Sequence, residues 1–467
     1  MLHIILGFAV FASTLFSLLL LSLPSYRKAS DSAAAKGGNG QNNMRDGHKN
    51  TAVQVLVLGD IGRSPRMQYH ALSIAKHGGH VDLIGYLESD PHPEIVLSDR
   101  ISIISLPSTP MSLRTDNKLL FLLFGPLKVL LQIWYLWLTL GYRIDPAEWM
   151  LVQNPPSIPT LAIAQIVCFL RNTKLIIDWH NFGYSILAMK LGQQHPLVRI
   201  SRVYERVFAR NADVHLTVTD VMASVLKRDG YTTSQVHSLH DRPAAHLQPF
   251  LTPERSLSFL GRLPETASEV SKIYTGQMKV LVSSTSWTPD EDFSILLDAL
   301  AMYSEAAAQR ELPDILAIIT GKGPLKDYYI SQIHSLNRDG KLKNVHVKTA
   351  WLTMRDYASL LAAADLGVSL HTSSSGVDLP MKVVDMFGAG LPVVGWSKFD
   401  AWPELVKEGY NGRGFQSSQG LADSLVDLFG SNGEELRKLR GGALEESNRR
   451  WDQEWDPVLG QILGFNQ

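Results

Sequence analysis

The chain has one cysteine, Cys168, inside the apolar run IAQIVCFL. A lone thiol forms no internal disulfide, so the sequence predicts an inert core residue and a reducing compartment. No Asn-x-Ser/Thr acceptor occurs, which fits a body kept out of the secretory lumen. Neither sign of charge dominates, with 44 Lys+Arg against 45 Asp+Glu and a formal net charge of −1. Without a basic stripe, nucleic acid is not expected as a partner. The absence of a short repeat excludes a solenoid. The turn after the first apolar strand, GDIGR, lacks G-x-G-x-x-G, so the dinucleotide fingerprint is not met. The 467 residues suffice for two or three domains.

What is present begins with an apolar N-terminus. Residues 4–23 carry no charge and are long enough to cross a bilayer. Arg27 and Lys28 follow and almost nothing basic precedes, so residues 1–28 read as a single-pass anchor with its N-terminus lumenal and the body cytosolic. A cleaved signal peptide is the alternative, opposed by the missing basic n-region. Residues 29–52 are Gly/Asn-rich and read as a flexible tether. A second apolar stretch, 119–140, is broken by Gly125-Pro126 and carries Lys128 and Gln132. A crossing there would split a domain between compartments. It therefore reads as core or as a face dipping into the membrane, with Trp134, Tyr135 and Trp137 at the interface.

From residue 53 short apolar strands alternate with helical patterns, which predicts α/β architecture with parallel sheets. One series spans 53–240 and a second spans 279–440. The Pro/His-rich stretch 241–278 reads as an irregular interdomain connection, and 441–467 as a C-terminal helix packing back across the domains. Two such halves imply a cleft, with ligands beyond the carboxyl ends of the strands.

Candidate chemistry sits at those strand ends. The stretch SLHTSSSGVDLPMKVVDMFGAGLPVV places Lys382 and Asp385 on one helix face. A lysine in a first helical turn opposes the helix dipole and predicts an anion there, while Asp385 suits a pair of ribose hydroxyls. Ser373, Ser374, Ser375 and Gly376 can face a sugar or phosphate, and Asp378 is adjacent. The strand end SSTSW offers Ser284, Thr285, Ser286 and Trp287 to the same ligand. Gly321 and Gly323 permit close backbone approach, and Trp351 can stack on a purine. Thr288 to Asp292 reads as a helix cap with first-turn acids rather than a metal site. In the first half, Gly59, Asp60, Gly62, Arg63 and Arg66 suit a diphosphate-bearing second substrate. Asp178-Trp179-His180 ends another strand. His180, and after it Asp178, are the candidates for a general base, with the tryptophan placed for sugar stacking.

This division of labour resembles the two-domain GT-B glycosyltransferases. The strings LGDIGRSPRMQYHALSIAKHG, IIDWHNFGYSIL, SSTSWTPDEDFSILLDAL, ITGKGPLKDYY and HTSSSGVDLPMKVVDMFG resemble the chitobiosyldiphosphodolichol β-mannosyltransferases, glycosyltransferase family 33, over about residues 53 to 415. The resemblance implies an inverting transfer of mannose from GDP-mannose to GlcNAc2-diphosphodolichol at the endoplasmic reticulum membrane. It also implies no DXD-type metal site and a setting among other early mannosyltransferases. In the retaining relatives a Glu-x7-Glu pattern operates. Here Asp385 stands at the second position, the first acid is displaced to Asp378, and the Arg/Lys pair after the second half's first strand is replaced by SSTSW. Two readings stay open at this point: a membrane-bound GT-B enzyme using a UDP-sugar, and a non-catalytic scaffold that kept the fold.

Overall fold

The structure is a computed structural model. It describes Thr14 and residues 22–26, 51–108, 118–288, 291–430 and 433–465. Most of the expected anchor and nearly all of the tether lie outside the described residues. Among the described residues no helix is long and apolar enough to cross a membrane.

The chain forms two units. The first comprises Met1–Val218, Ala223–Leu239 and Trp455–Gln467, and the second Thr219–Met222 and His240–Glu454.

In the first unit the strands are β1 (Ala52–Asp60), β2 (His80–Tyr86), β3 (Ile101–Ser105), β4 (Trp149–Asn154), β5 (Lys174–Trp179), β6 (Val214–Thr217) and β7 (Gln235–Ser238). They form one parallel sheet in the order β3-β2-β1-β4-β5-β6-β7. The strands read as continuous Val/Ile/Leu runs because helices cover both faces, as parallel sheets require. Val55, for instance, sits opposite Leu83 on β2 and Leu151 on β4, and all three are buried. Cys168 lies in helix Thr160–Arg171, buried, and its surroundings push its thiol pKa up, so it stays protonated.

The second unit repeats the plan with β8 (Met278–Ser284), β9 (Asp314–Thr320), β10 (Val345–Ala350), β11 (Leu366–Ser369), β12 (Val393–Trp396) and β13 (Gly412–Phe415). Their order is β10-β9-β8-β11-β12-β13, again parallel. In each sheet the strand order reverses beside the first strand, between β1 and β4 and between β8 and β11. That switch point opens a crevice at the carboxyl ends.

Two expectations need correction, and two strands carry little sequence signal. Residues 241–278 are not irregular, because Pro253–Arg262 and Val270–Tyr274 are helices. Thr252 precedes Pro253 at the first helical position, a start signal hidden among the prolines. Strands β3 and β7 are hard to read from sequence because both are short edge strands with partly exposed residues. Helix Ser294–Arg310 begins at Ser294 rather than near Thr288, with Asp292 accepting from the Ser294 N–H at 3.1 Å.

The last stretch of the first unit is fixed by one side chain. Trp455 is fully buried, donates from Nε1 to His70 Nδ1 at 3.0 Å and stacks on His77. Trp455→Ala should cost the first unit about 3–5 kcal/mol through the cavity it opens, while Trp455→Phe should cost clearly less. Thermal unfolding of both variants measures this, and equal midpoints would remove the packing role.

Candidate glycosyl-transfer site

In the second unit the loops after β8 and β11 flank the switch point, and one carboxylate ties them together. Glu291 is buried and accepts from the Thr285 hydroxyl at 2.8 Å and the Ser286 N–H at 2.7 Å. It also forms an ion pair with Lys382. Lys382 stands in the first turn of helix Met381–Gly388. The anion that its position demands is therefore supplied by the chain itself. Glu291 had been read only as a first-turn acid. Its role was not legible because it lies 91 residues from the lysine it serves.

The glycines of this region serve loop packing. A Cβ on Gly321, whose φ is +126°, would meet the Thr285 carbonyl oxygen at 1.9 Å, and one on Gly323 the Ser286 oxygen at 1.8 Å. These two glycines let the loop after β9 lie directly on SSTSW, which corrects their reading as points of ligand approach. Trp287 also needs correction. It is fully buried at φ +50°, packs on Phe293 and donates to the Gly321 carbonyl at 3.3 Å. It is a core residue and offers no face to a sugar. Ser284 bonds the Tyr357 hydroxyl at 3.0 Å and accepts from Thr320 at 3.1 Å. Ser286 is exposed. Trp351 is 63% exposed, and Lys322 Nζ lies 3.9 Å from its ring centroid, a cation–π pair at the ends of β9 and β10.

The loop after β11 wraps around Asp378. That carboxylate is buried and accepts from Ser373, from Ser375 at 3.4 Å and from His371 Nε2 at 3.1 Å. Gly376 takes φ +79° at the bend, a conformation that L side chains rarely adopt. Asp378 thus shapes the loop that presents Ser374. His371 was missed by the sequence reading. Asp385, one turn beyond Lys382, is largely enclosed, and burial pushes its carboxyl up to about 7.

In the first unit the buried carboxylate is Asp178 at the end of β5. Arg66 holds it bidentately at 2.7 and 2.8 Å, His70 Nε2 lies at 3.2 Å and His180 Nε2 at 2.8 Å. Burial raises its pKa, but Arg66, His180 and these hydrogen bonds outweigh burial and hold it well below the usual carboxylate range. An ionised carboxylate only accepts, so Nε2 of His180 carries the proton. His180 Nδ1 is not engaged by Asp178, and the side chain remains a quarter exposed. His70 accepts from Trp455 at Nδ1, is fully enclosed, and is held neutral because desolvation lowers its pKa.

This overturns three assignments. Asp178 is fully enclosed and paired, so it orients His180 and does not itself receive a proton. Arg66 is buried and spent on Asp178 and on the Leu239 carbonyl at 2.9 Å, so it is not open to a diphosphate. Trp179 is fully buried, stacked on His215, and presents no face to a sugar. Asp60 accepts from the N–H groups of Gly62, Glu88 and Ser89 and from the Ser89 hydroxyl, so it ties the loop after β2 to that after β1. Gly62 packs on the Ser89 backbone, whereas Gly59 has room for a Cβ. Arg63 is 80% exposed, 3.5 Å from Asp60.

Among the described residues one trio, Asp220, His240 and Glu404, offers three ligand atoms within 4.8 Å of one another. Glu404 there accepts the Asp220 and Val221 N–H groups at 2.7 Å each and lies 2.9 Å from His240 Nε2. The Glu404 carboxylate thus caps the first N–H groups of helix Asp220–Arg228.

Comparison with known proteins agrees with this architecture. A family model described as "Glycosyl transferases group 1" matches residues 277–431. Among solved structures, a sucrose-phosphate synthase from Thermosynechococcus elongatus covers 89% of this chain and 98% of its own with a TM-score of 0.60 at 16% identity. Anabaena Alr3699/HepE, solved with UDP and glucose, covers 89% and 100% with a TM-score of 0.57 at 16% identity. The chain is a glycosyltransferase of the GT-B fold. A curated relative from Arthroderma benhamiae is 50% identical over 90% of this chain and 92% of its own length, and one from Homo sapiens is 40% identical over 89% and 93%. Both are named chitobiosyldiphosphodolichol beta-mannosyltransferase. The chain belongs to that family.

Asp385 carries a consequence for stability. Its folded pKa of about 7 lies above the ordinary aspartate value of 3.8. The folded state therefore keeps a proton that the unfolded chain gives up. The stabilisation is fully present below the unfolded pKa and is lost as pH rises toward 7. Melting temperature should fall more steeply with pH over this window in the native chain than in Asp385→Asn. Parallel curves would contradict the assignment.

Proposed function

We propose that the chain transfers mannose from GDP-mannose to the 4-hydroxyl of the terminal GlcNAc of dolichol-diphosphate chitobiose, inverting the anomeric centre to a β1,4 linkage. The family's name, chitobiosyldiphosphodolichol beta-mannosyltransferase, supports the acceptor and the β configuration of the linkage. The observation that carries the donor reading is the cation held beside the second unit's switch point, Lys382 on Glu291. On donor binding Lys382 turns from Glu291 to the diphosphate. The helix N-terminus behind it adds partial positive charge where the leaving group develops negative charge. Asp385 in its ionised form accepts ribose hydroxyls, exposed Trp351 stacks on the base, and Ser374 and Ser286 meet the sugar or phosphate.

The acceptor hydroxyl gives its proton to His180 Nδ1 as its oxygen bonds the anomeric carbon. The carbon–oxygen bond to GDP breaks, and its electron pair leaves with the diphosphate. Asp178 stabilises the imidazolium through Nε2–H. Arg63 meets the acceptor diphosphate. No step of this proposed reaction uses a metal. The proposal includes a protein held at the endoplasmic reticulum membrane with a cytosolic body, alongside other early mannosyltransferases.

The test is transfer by the purified full chain to phytanyl-diphosphochitobiose, with GDP-mannose and UDP-GlcNAc as rival donors and linkage analysis of the product. A β1,4-mannosyl product from GDP-mannose is expected. Lys382→Ala should lower turnover by about 10²-fold or more, the scale of removing one charge-stabilising donor. Product from UDP-GlcNAc alone would overturn the donor, and an unaffected Lys382→Ala would overturn the site.

A further inference from the structure

Helix Pro196–Ala209 (PLVRISRVYERVFA) buries Val198, Ser201, Glu205 and Ala209 against the first unit. Stepping about 100° per residue, the sector beside that face carries Arg199, Arg202 and Arg206, continued by Arg210. The sector beyond the arginines carries Ile200, Val203 and Val207, which are 58%, 56% and 54% exposed. An apolar stripe bordered by arginine is the pattern of a helix lying in a membrane interface.

The surroundings extend that stripe. Helix Thr160–Arg171 packs on this helix and exposes Phe169, which is 85% accessible. Helix Lys118–Leu138 packs on the latter in turn and exposes Trp134. Helix Gly183–Leu191 packs on the arginine-bearing helix itself. The four helices contain a single acid, Glu205. It is buried and occupied by the Ser157 hydroxyl at 2.5 Å and the Gly183 N–H at 2.7 Å. Arg202 also bonds Tyr184 at 3.3 Å on the neighbouring helix, which holds its guanidinium on this surface.

The chain entering the unit leads to the same place. Arg171 Nε donates to the Pro24 carbonyl at 3.0 Å, and the Tyr26 N–H donates to the Arg171 carbonyl at 2.7 Å. Pro24 and Tyr26, directly after the uncharged stretch 4–23 in sequence, therefore lie at the end of the helix that carries Phe169.

We propose that this face, centred on helix Pro196–Ala209, docks on a bilayer surface that carries anionic phospholipid. Ile200, Val203 and Val207 enter the acyl boundary, and the arginines pair with lipid phosphates and carboxylates. The apolar stretch 119–140 alone does not account for the arginine stripe, which makes the contact selective for negative headgroups. The inference stands independently of the donor assignment.

The full chain is reconstituted in vesicles of phosphatidylcholine alone or with phosphatidylserine. An environment-sensitive fluorophore is placed by Val203→Cys, the native Cys168 being buried. Gln419→Cys, on an exposed helical position of the second unit, is the control. On anionic vesicles the Val203 probe should be quenched by lipid-borne spin labels and shielded from iodide. Arg199→Gln and Arg206→Gln should each lower the ratio of shielded to exposed probe about fivefold, the scale of one arginine at a charged membrane surface. A probe that stays open to iodide on anionic vesicles would overturn the proposal. So would shielding that ignores both phosphatidylserine and the arginine changes. Shielding that grows with protein concentration in detergent would also overturn it, by assigning the face to a second copy.

Discussion

The first unit is organised around one buried negative charge. A carboxylate removed from water is costly unless it is fully paired. Asp178 satisfies that demand with groups from three parts of the chain: Arg66 and His70 from helix Pro65–Lys76, His180 from the strand end beside it, and Trp455 one step behind through His70. Each partner is thereby fixed. Arg66 loses its freedom to meet a ligand, His70 is locked as a neutral tautomer, and His180 keeps one nitrogen clear of Asp178. An imidazole with a set orientation follows from the need to pair one charge, and the proposed reaction uses it as the proton acceptor.

The second unit solves the opposite problem. A cation in a first helical turn is held in place by Glu291, which also shapes the loop after β8 through Thr285 and Ser286. In the proposed reaction a diphosphate would displace this internal partner, so the lysine would be committed only when a ligand is present. Gly321 and Gly323 make the arrangement possible by letting two strand-end loops touch.

Much of this was legible in the sequence, for definite reasons. The strands were readable because buried parallel strands are uninterrupted apolar runs, as in β4 and β5. Lys382 and Asp385 could be paired because helical spacing fixes their face. The failures share one physical cause, the long-range contact. Arg66 reads as an open phosphate ligand until Asp178, 112 residues later, is seen to hold it. Trp287 and Trp179 read as stacking platforms because a strand-end aromatic looks the same whether it turns outward or into the core. The strand-end glycines suggested ligand approach, but the atoms they admit belong to the protein. His70 and Trp455 lie 385 residues apart and carry no local signal at all.

The most direct test of the account is the turnover of His180→Ala, measured together with the affinity for GDP and the thermal midpoint. The account predicts a loss in kcat of about 10²- to 10⁴-fold, the range for removal of a general base. GDP binding and the melting temperature should stay close to native, since His180 contributes a proton acceptor and no donor contact. A variant that keeps near-native kcat, or that loses GDP binding in step with activity, would contradict the assignment of the base and with it the role given to Asp178.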